Sequence, residues 1–348
     1  MSPIDSPIAS KVLTAAVNAR TVPLILLVTL LALVPPVAQA LDDPFLIKVF
    51  TRVIVFAIAA VALNLIVGFS DLISLLQAGF IGIGGYTVAI LAHHDFNGEL
   101  LTAWPLALAG TSNLAIALPL GALFAALIAA VTGLICLRTS GAYFIMITLS
   151  FNQMLYYFFV ALQRYGGEDG LQILSSLHLG SFDITKRVPF YYVCLATLAA
   201  TLVVLKSLVE SRFGVVIRAL AQNERRVIAL GIPPLRYKLV AFVISGALGG
   251  LAVALLAASQ QFISPADMAW ARSGELVVMV VLGGLATVWG PVVGAAVFLV
   301  LELVLSSFSI HWQLAFGMVI IVMTIYLRGG VADLWSFAVR VTRSRNAR

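Results

Sequence analysis

The chain has 348 residues, 61% of them hydrophobic and 10% charged, whereas soluble domains carry about 45–50% apolar and about 25% charged residues. A water-soluble core of ordinary composition is therefore excluded, and a membrane is the solvent this composition fits. The net charge of +6 does not indicate nucleic acid, because the basic residues sit in loops between apolar runs or in the C-terminal tail, where topology and anionic lipid headgroups account for them.

A bilayer-spanning helix takes about 20 predominantly apolar residues. In chain order the apolar runs cover residues 23–40, 48–69, 72–92, 112–136, 141–162, 188–208, 237–258, 274–288, 291–308 and 312–328. This pattern predicts an all-α polytopic membrane protein with about ten transmembrane helices in a single transmembrane domain over 1–348. Outside the runs lie an N-terminal segment 1–22, a charged interval at about 209–236 and a tail at about 329–348. Alternating sides through the runs places these three segments and both termini in the cytoplasm, with 15 of the 21 Lys and Arg on that side, as the positive-inside rule requires.

The first run, preceded by Lys11 and Arg20 and ending in Ala38-Gln39-Ala40, also resembles a cleavable signal peptide. The long polar segment before Val22 favours an uncleaved helix, as does the odd number of crossings that cleavage would leave. Cys136 and Cys194 fall within apolar runs, where a thiol acts as a small hydrophobe. All four histidines, His93, His94, His178 and His311, fall in outward loops; the His93-His94 pair reads as a solvated helix end rather than a metal site.

Two stretches interrupt the apolar pattern with glycine, one following Leu63 and one following Ser264, in opposite halves of the chain. Corresponding interrupted segments predict an internal repeat, with short or broken helices and a path between the halves. Gly246-x-x-x-Gly250 and Gly290-x-x-x-Gly294 have the spacing of close helix packing. For Gly82, Gly84, Gly85, Gly283 and Gly284 packing competes with a helix terminus that exposes polar backbone inside the bundle. The acids nearest membrane depth, Asp71, Glu275 and Glu302, are each close enough to a predicted helix end to be solvated there. Ion-coupled carriers keep carboxylates nearer the midplane, so the energy for transport is expected to come from elsewhere.

The longest charged interval begins at Glu210. Val215, Ile217, Leu220, Val227, Ile228 and Leu230 alternate with Arg218, Glu224, Arg225 and Arg226 in the manner of a short amphipathic helix. Ser211 is positioned to cap it, and Gly231 with Pro233-Pro234 ends it. Either it anchors a loop in the membrane surface, or it is a rigid element that a soluble motor grips. The chain has no Gly-x-x-x-x-Gly-Lys-Ser/Thr phosphate loop.

This interval resembles the ATPase-contacting loop of branched-chain amino acid ABC permeases, specifically the LivM-like subunit. Three further stretches agree with that family in order. They are Gly68, Phe69, Ser74 and Leu75 followed by Gly82, Ile83, Gly84, Tyr86 and Thr87; the run from Leu134 containing Leu137, Arg138, Gly141, Tyr143 and Phe144; and Gly283-Gly284 followed by Gly290-Pro291. The resemblance runs from about Leu63 to the last span.

It implies a multi-pass subunit of the bacterial inner membrane, not itself an enzyme, that works with a LivH-like second permease, two cytoplasmic ABC ATPases and a periplasmic solute-binding protein. No cofactor is expected in this chain; ATP and Mg would be bound by the ATPases. Membrane lipids are expected partners and nucleic acid is not. The resemblance assigns ATPase coupling to Arg212, Phe213, Gly214, Arg218, Ala219, Asn223, Glu224, Arg225, Ala229, Leu230 and Gly231.

Asn64, Ser74, Gln77, Tyr143, Thr148, Asn152 and Gln153, with Gly283 and Gly284, are the candidate translocation path. Hydrogen bonding between helices is the competing role for the polar side chains. Gly167, Glu168 and Asp169 are the candidate contact for the binding protein. Where many family members carry Gly-Gln-(Leu/Ile)-Ser-Leu-Gly-His, this chain reads Asp71-Leu72-Ile73-Ser74-Leu75-Leu76-Gln77, which weakens assignment of the solute. Urea, short amides or aromatic acids carried by the same architecture are the alternative, and an ion-coupled secondary transporter is a further one.

Overall fold

A computed structural model describes residues 24–98, 100–102, 108–175, 177–179, 182–183, 187–308, 311–326 and 330. The segments 1–22 and 331–348, expected to face the cytoplasm, lie outside the described residues. Each predicted apolar run meets a helix. In chain order these are α1 (Leu24–Ala40), α2 (Pro44–Ser70), α3 (Gln77–Asn97), α4 (Leu114–Cys136), α5 (Ala142–Ala161) and α6 (Arg187–Glu210). Two short helices follow, α7 (Arg212–Gln222) and α8 (Glu224–Ala229), then α9 (Pro234–Gln260), α10 (Trp270–Gly283), α11 (Gly290–Phe308) and α12 (Trp312–Tyr326). Six of them, α2, α4, α5, α6, α9 and α11, are long and apolar enough to cross a membrane.

Helix α2 is the axis of the molecule. Pro44 sits at its first turn, Asp43 accepts from the Phe45 N–H at 3.0 Å, and only Lys48 and Arg52 charge its 27 residues. A helix that is apolar on all sides is buried, and α2 is enclosed by α9, α6, α11 and α10. On the other side α9 packs on α3 and α4. Small residues bring these backbones together: a Cβ on Gly84 would stand 2.0 Å from the Gly250 carbonyl oxygen, and one on Gly250 would stand 2.5 Å from the Ala125 Cβ. Gly82, Gly84 and Gly85 therefore serve packing within an unbroken α3. The helix-terminus alternative does not apply to them.

The real discontinuities lie beside those glycines. Residues 71–76 leave α2 through Asp71 in the left-handed region, φ 54°, and run without helix to Gln77. Residues 284–289 separate α10 from α11, starting at Gly284 with φ 112°. On the side expected to face outward, the antiparallel pair β1 (Leu171–Gln172) and β2 (Phe262–Ile263) ties the loop after α5 to the loop after α9. His94 is not solvated as expected: it is buried, with its Nε2 3.0 Å from the Tyr165 hydroxyl.

A buried polar seam and a cytoplasmic helix pair

The first broken segment, 71–76, is fastened inside the bundle to α10 and α5. The Ser273 hydroxyl, near the start of α10, donates to the Leu75 carbonyl at 2.8 Å and accepts from the Ala78 N–H at 2.8 Å. Thr148 on α5 accepts from the Leu75 N–H at 3.3 Å. Gln77 donates to the Ser245 carbonyl at 3.3 Å, and the Ser245 hydroxyl donates to the Ala62 carbonyl at 2.6 Å. Asn152 donates to the Met268 carbonyl at 2.9 Å, drawing the loop before α10 down to the middle of α5. Non-helical backbone is tolerated at such depth only where protein groups satisfy it.

Of the candidate path residues, Asn64, Ser74, Gln77, Thr148 and Asn152 are wholly buried in this seam. The Asn64 side chain donates to the Thr287 carbonyl at 2.8 Å and accepts from the Ala286 N–H at 3.3 Å, so it holds the second break. Gly283 and Gly284 are buried there too; a Cβ on Gly283 would lie 2.0 Å from the Gly290 carbonyl oxygen. Tyr143 and Gln153 are not brought to the seam. Tyr143 is 74% exposed on the outer face of α5 and Gln153 is partly exposed. The sequence reading missed Ser245 and Ser273, because a serine in an apolar helix carries no local sign of which backbone group it will reach.

The charged residues also depart from expectation. Glu275 and Glu302 are not simply solvated at helix ends. Glu275 pairs with Arg272 at 2.8 Å, Arg272 also reaches Asp267 at 3.3 Å, and Glu302 pairs with Arg52 at 3.2 Å.

The cytoplasmic interval forms two helices rather than one. Asn223, with extended backbone at φ −158°, separates α7 from α8 and caps α8 by accepting from the Arg226 N–H at 3.1 Å. Ser211 occupies the cap position of α7 without capping it, and its hydroxyl donates to the Leu208 carbonyl instead. Gly214 lets α7 lie against the end of α6, since a Cβ there would stand 2.2 Å from the Val209 carbonyl oxygen. Phe213 stacks on Tyr237 with centroids 5.7 Å apart, and Lys238 pairs with Glu224 at 2.8 Å. The pair is thus fixed to both α6 and α9. Arg212, Arg218, Asn223, Arg225, Ala229, Leu230 and Gly231 are exposed, while Ala219 and Glu224 are half-buried.

At the opposite end, Gly167–Asp169 forms a single 3-10 turn with Gly167 buried and Glu168 and Asp169 exposed. Gly170 follows at φ +87°, where a Cβ would stand 2.5 Å from the Ile263 carbonyl oxygen.

Comparison with known proteins agrees with this architecture. The family model described as the permease component of the branched-chain amino acid transport system matches residues 45–327. The high-affinity branched-chain amino acid transport permease LivM of Escherichia coli is 28% identical over 333 residues, covering 87% of this chain and 75% of that protein. LivM of Salmonella typhimurium is 28% identical over 312 residues, covering 83% and 70%. No solved structure gives a significant match. The chain belongs to the permease-component family of branched-chain amino acid transport systems and is a multi-pass membrane permease subunit of an ABC importer.

Proposed function

We propose that this chain is the LivM-like half of an inner-membrane importer that carries branched-chain amino acids delivered by a periplasmic binding protein. It pairs with a LivH-like permease and two cytoplasmic ATPases, which bind ATP and Mg. Ten crossings in two related halves with both termini in the cytoplasm fit the ten described helices other than α7 and α8 and the two breaks in opposite halves. The observation that carries the reading is the fixed pair α7–α8. Val215, Ile228 and Leu230 are 56%, 52% and 77% exposed beside Arg225 and Arg226, on a segment braced to two long helices. Exposed apolar residues ringed by charge mark a protein contact, and a braced contact transmits motion where a loose loop would not.

In this reading ATP binding closes the partner ATPases on α7–α8, and α6 and α9 rock together against the seam. Asn64, Ser74, Gln77, Thr148 and Asn152 frame the solute path by keeping the broken segments at depth. Gly283 and Gly284 form the turn at its inner end. Glu168 and Asp169 on their ordered turn receive the binding protein.

The test is uptake of labelled leucine into liposomes holding the complex, with and without ATP and binding protein. Uptake that needs both supports the reading. ATP hydrolysis stimulated by the binding protein without leucine uptake keeps the importer and changes the solute to urea, amides or aromatic acids. Uptake by this chain alone on an ion gradient overturns it.

A further inference from the structure

One face of the molecule carries a cluster of ion pairs. Arg52, Asp267, Arg272, Glu275 and Glu302 come from α2, the loop before α10, α10 itself and α11, and pair as Arg52–Glu302, Arg272–Asp267 and Arg272–Glu275. The Phe56 ring lies between the two guanidiniums, each 5.6 Å from its centroid. The depth of the cluster follows from hydrogen bonds. Ser273, between Arg272 and Glu275 in sequence, bonds Leu75 and Ala78 at the start of α3. Gln77 at that same start bonds Ser245, and Ser245 bonds Ala62. Ser245 and Ala62 are interior positions of the two longest helices, so Arg272 and Glu275 stand level with the interior of two candidate membrane spans.

The five side chains keep between 18% and 40% of their surface uncovered by the described residues. Charged groups inside a membrane face a bundle interior or water, because hydrocarbon does not solvate them. Gly274 lies on the same turn, and a Cβ there would meet nothing within 4 Å. The open faces of α4 and α5 differ, carrying Leu123, Leu127, Val131, Met154 and Phe158.

We propose that this ion-paired face lines the water-filled solute path between the chain and its partner permease, and that it selects a zwitterion. Three carboxylates and two guanidiniums, each engaged yet partly open, offer both signs to a solute carrying an ammonium and a carboxylate. A neutral amide would gain much less from them. The proposal rests on the importer reading above and names the side chains that would recognise its solute.

The experiment uses the purified complex with its partner subunits in nanodiscs, nucleotide-free and vanadate-trapped, so that both sides of the membrane and both arrangements are sampled. The buried cysteines are removed as Cys136→Ala and Cys194→Ala. Gly274→Cys is then compared with Leu127→Cys on the lipid face for reaction with a charged methanethiosulfonate. Gly274→Cys should react at least tenfold faster in one of the two states, and saturating leucine should slow it severalfold. Reaction no faster than at Leu127→Cys in both states, or no slowing by leucine, overturns the proposal. Glu275→Gln should raise the leucine concentration for half-maximal uptake about tenfold, and an unchanged value counts against the face. Labelling needs no ATP, so failure of the importer reading shows separately, as leucine uptake indifferent to ATP.

Discussion

The Asn64 side chain makes two hydrogen bonds to one turn, donating to the Thr287 carbonyl at 2.8 Å and accepting from the Ala286 N–H at 3.3 Å. Helix α2 thereby holds the break between α10 and α11. Asn64→Ala removes two hydrogen bonds to the Ala286–Thr287 turn, which is exposed at Ala286 and half-buried at Thr287, so the loss is the net value of such bonds, about 0.5–1.5 kcal/mol each. Its thermal unfolding in detergent should fall by several degrees. Asn64→Asp keeps the acceptor for Ala286 and loses the donor for Thr287. Because a buried carboxylate also carries its own desolvation cost, it should not rescue the alanine variant.

Ala286 itself has φ 58°, a left-handed conformation that costs an L-residue roughly 1–2 kcal/mol. Glycine adopts it without that cost. Ala286→Gly should therefore raise the unfolding temperature where an ordinary Ala to Gly exchange lowers it. A lowered temperature would mean that the methyl group packs better than its 58° backbone suggests.

Much of this architecture was legible in the sequence because helices in lipid announce themselves by apolar length, as with Pro44–Ser70 and Pro234–Gln260. The breaks were legible only approximately. Glycines Gly82, Gly84 and Gly85 drew attention to the right region, but Gly84 is a contact point for Gly250 and the non-helical segment is 71–76. A sequence shows where a side chain is missing without showing what fills the space. The ion pair Arg52–Glu302 links residues 250 apart, and no local pattern foretells such a partner. The sequence places Asn223 in the coupling segment, yet its position as the joint between two helices follows from its extended backbone and its own cap.

Gly84 and Gly317 provide a paired test of what the glycines do. A Cβ on Gly84 would stand 2.0 Å from backbone at Gly250, which only movement of α3 or α9 can relieve. Gly84→Ala should abolish a monodisperse protein peak in size-exclusion chromatography. At Gly317 nothing lies within 4 Å, so Gly317→Ala should be tolerated and should gain up to about 1 kcal/mol of helix propensity. Equal behaviour of the two would remove the packing account of α3.

The link between α8 and α9 tests the coupling role most directly. Lys238 and Glu224 pair at 2.8 Å with side-chain exposures of 12% and 42%; Lys238 is largely covered, but the open Glu224 end keeps the pair's contribution to about 1 kcal/mol. Glu224→Lys should thus leave the fold intact while placing two like charges where the brace was. Leucine uptake per ATP hydrolysed should fall several-fold, because the ATPases still close but α9 no longer follows. The exchange Glu224→Lys with Lys238→Glu restores attraction with the ends reversed, and should recover most of the lost coupling without changing the rate of hydrolysis. A single variant that transports at the unsubstituted ratio would show that motion reaches α9 by another contact, with the stacked Phe213 and Tyr237 the next pair to separate.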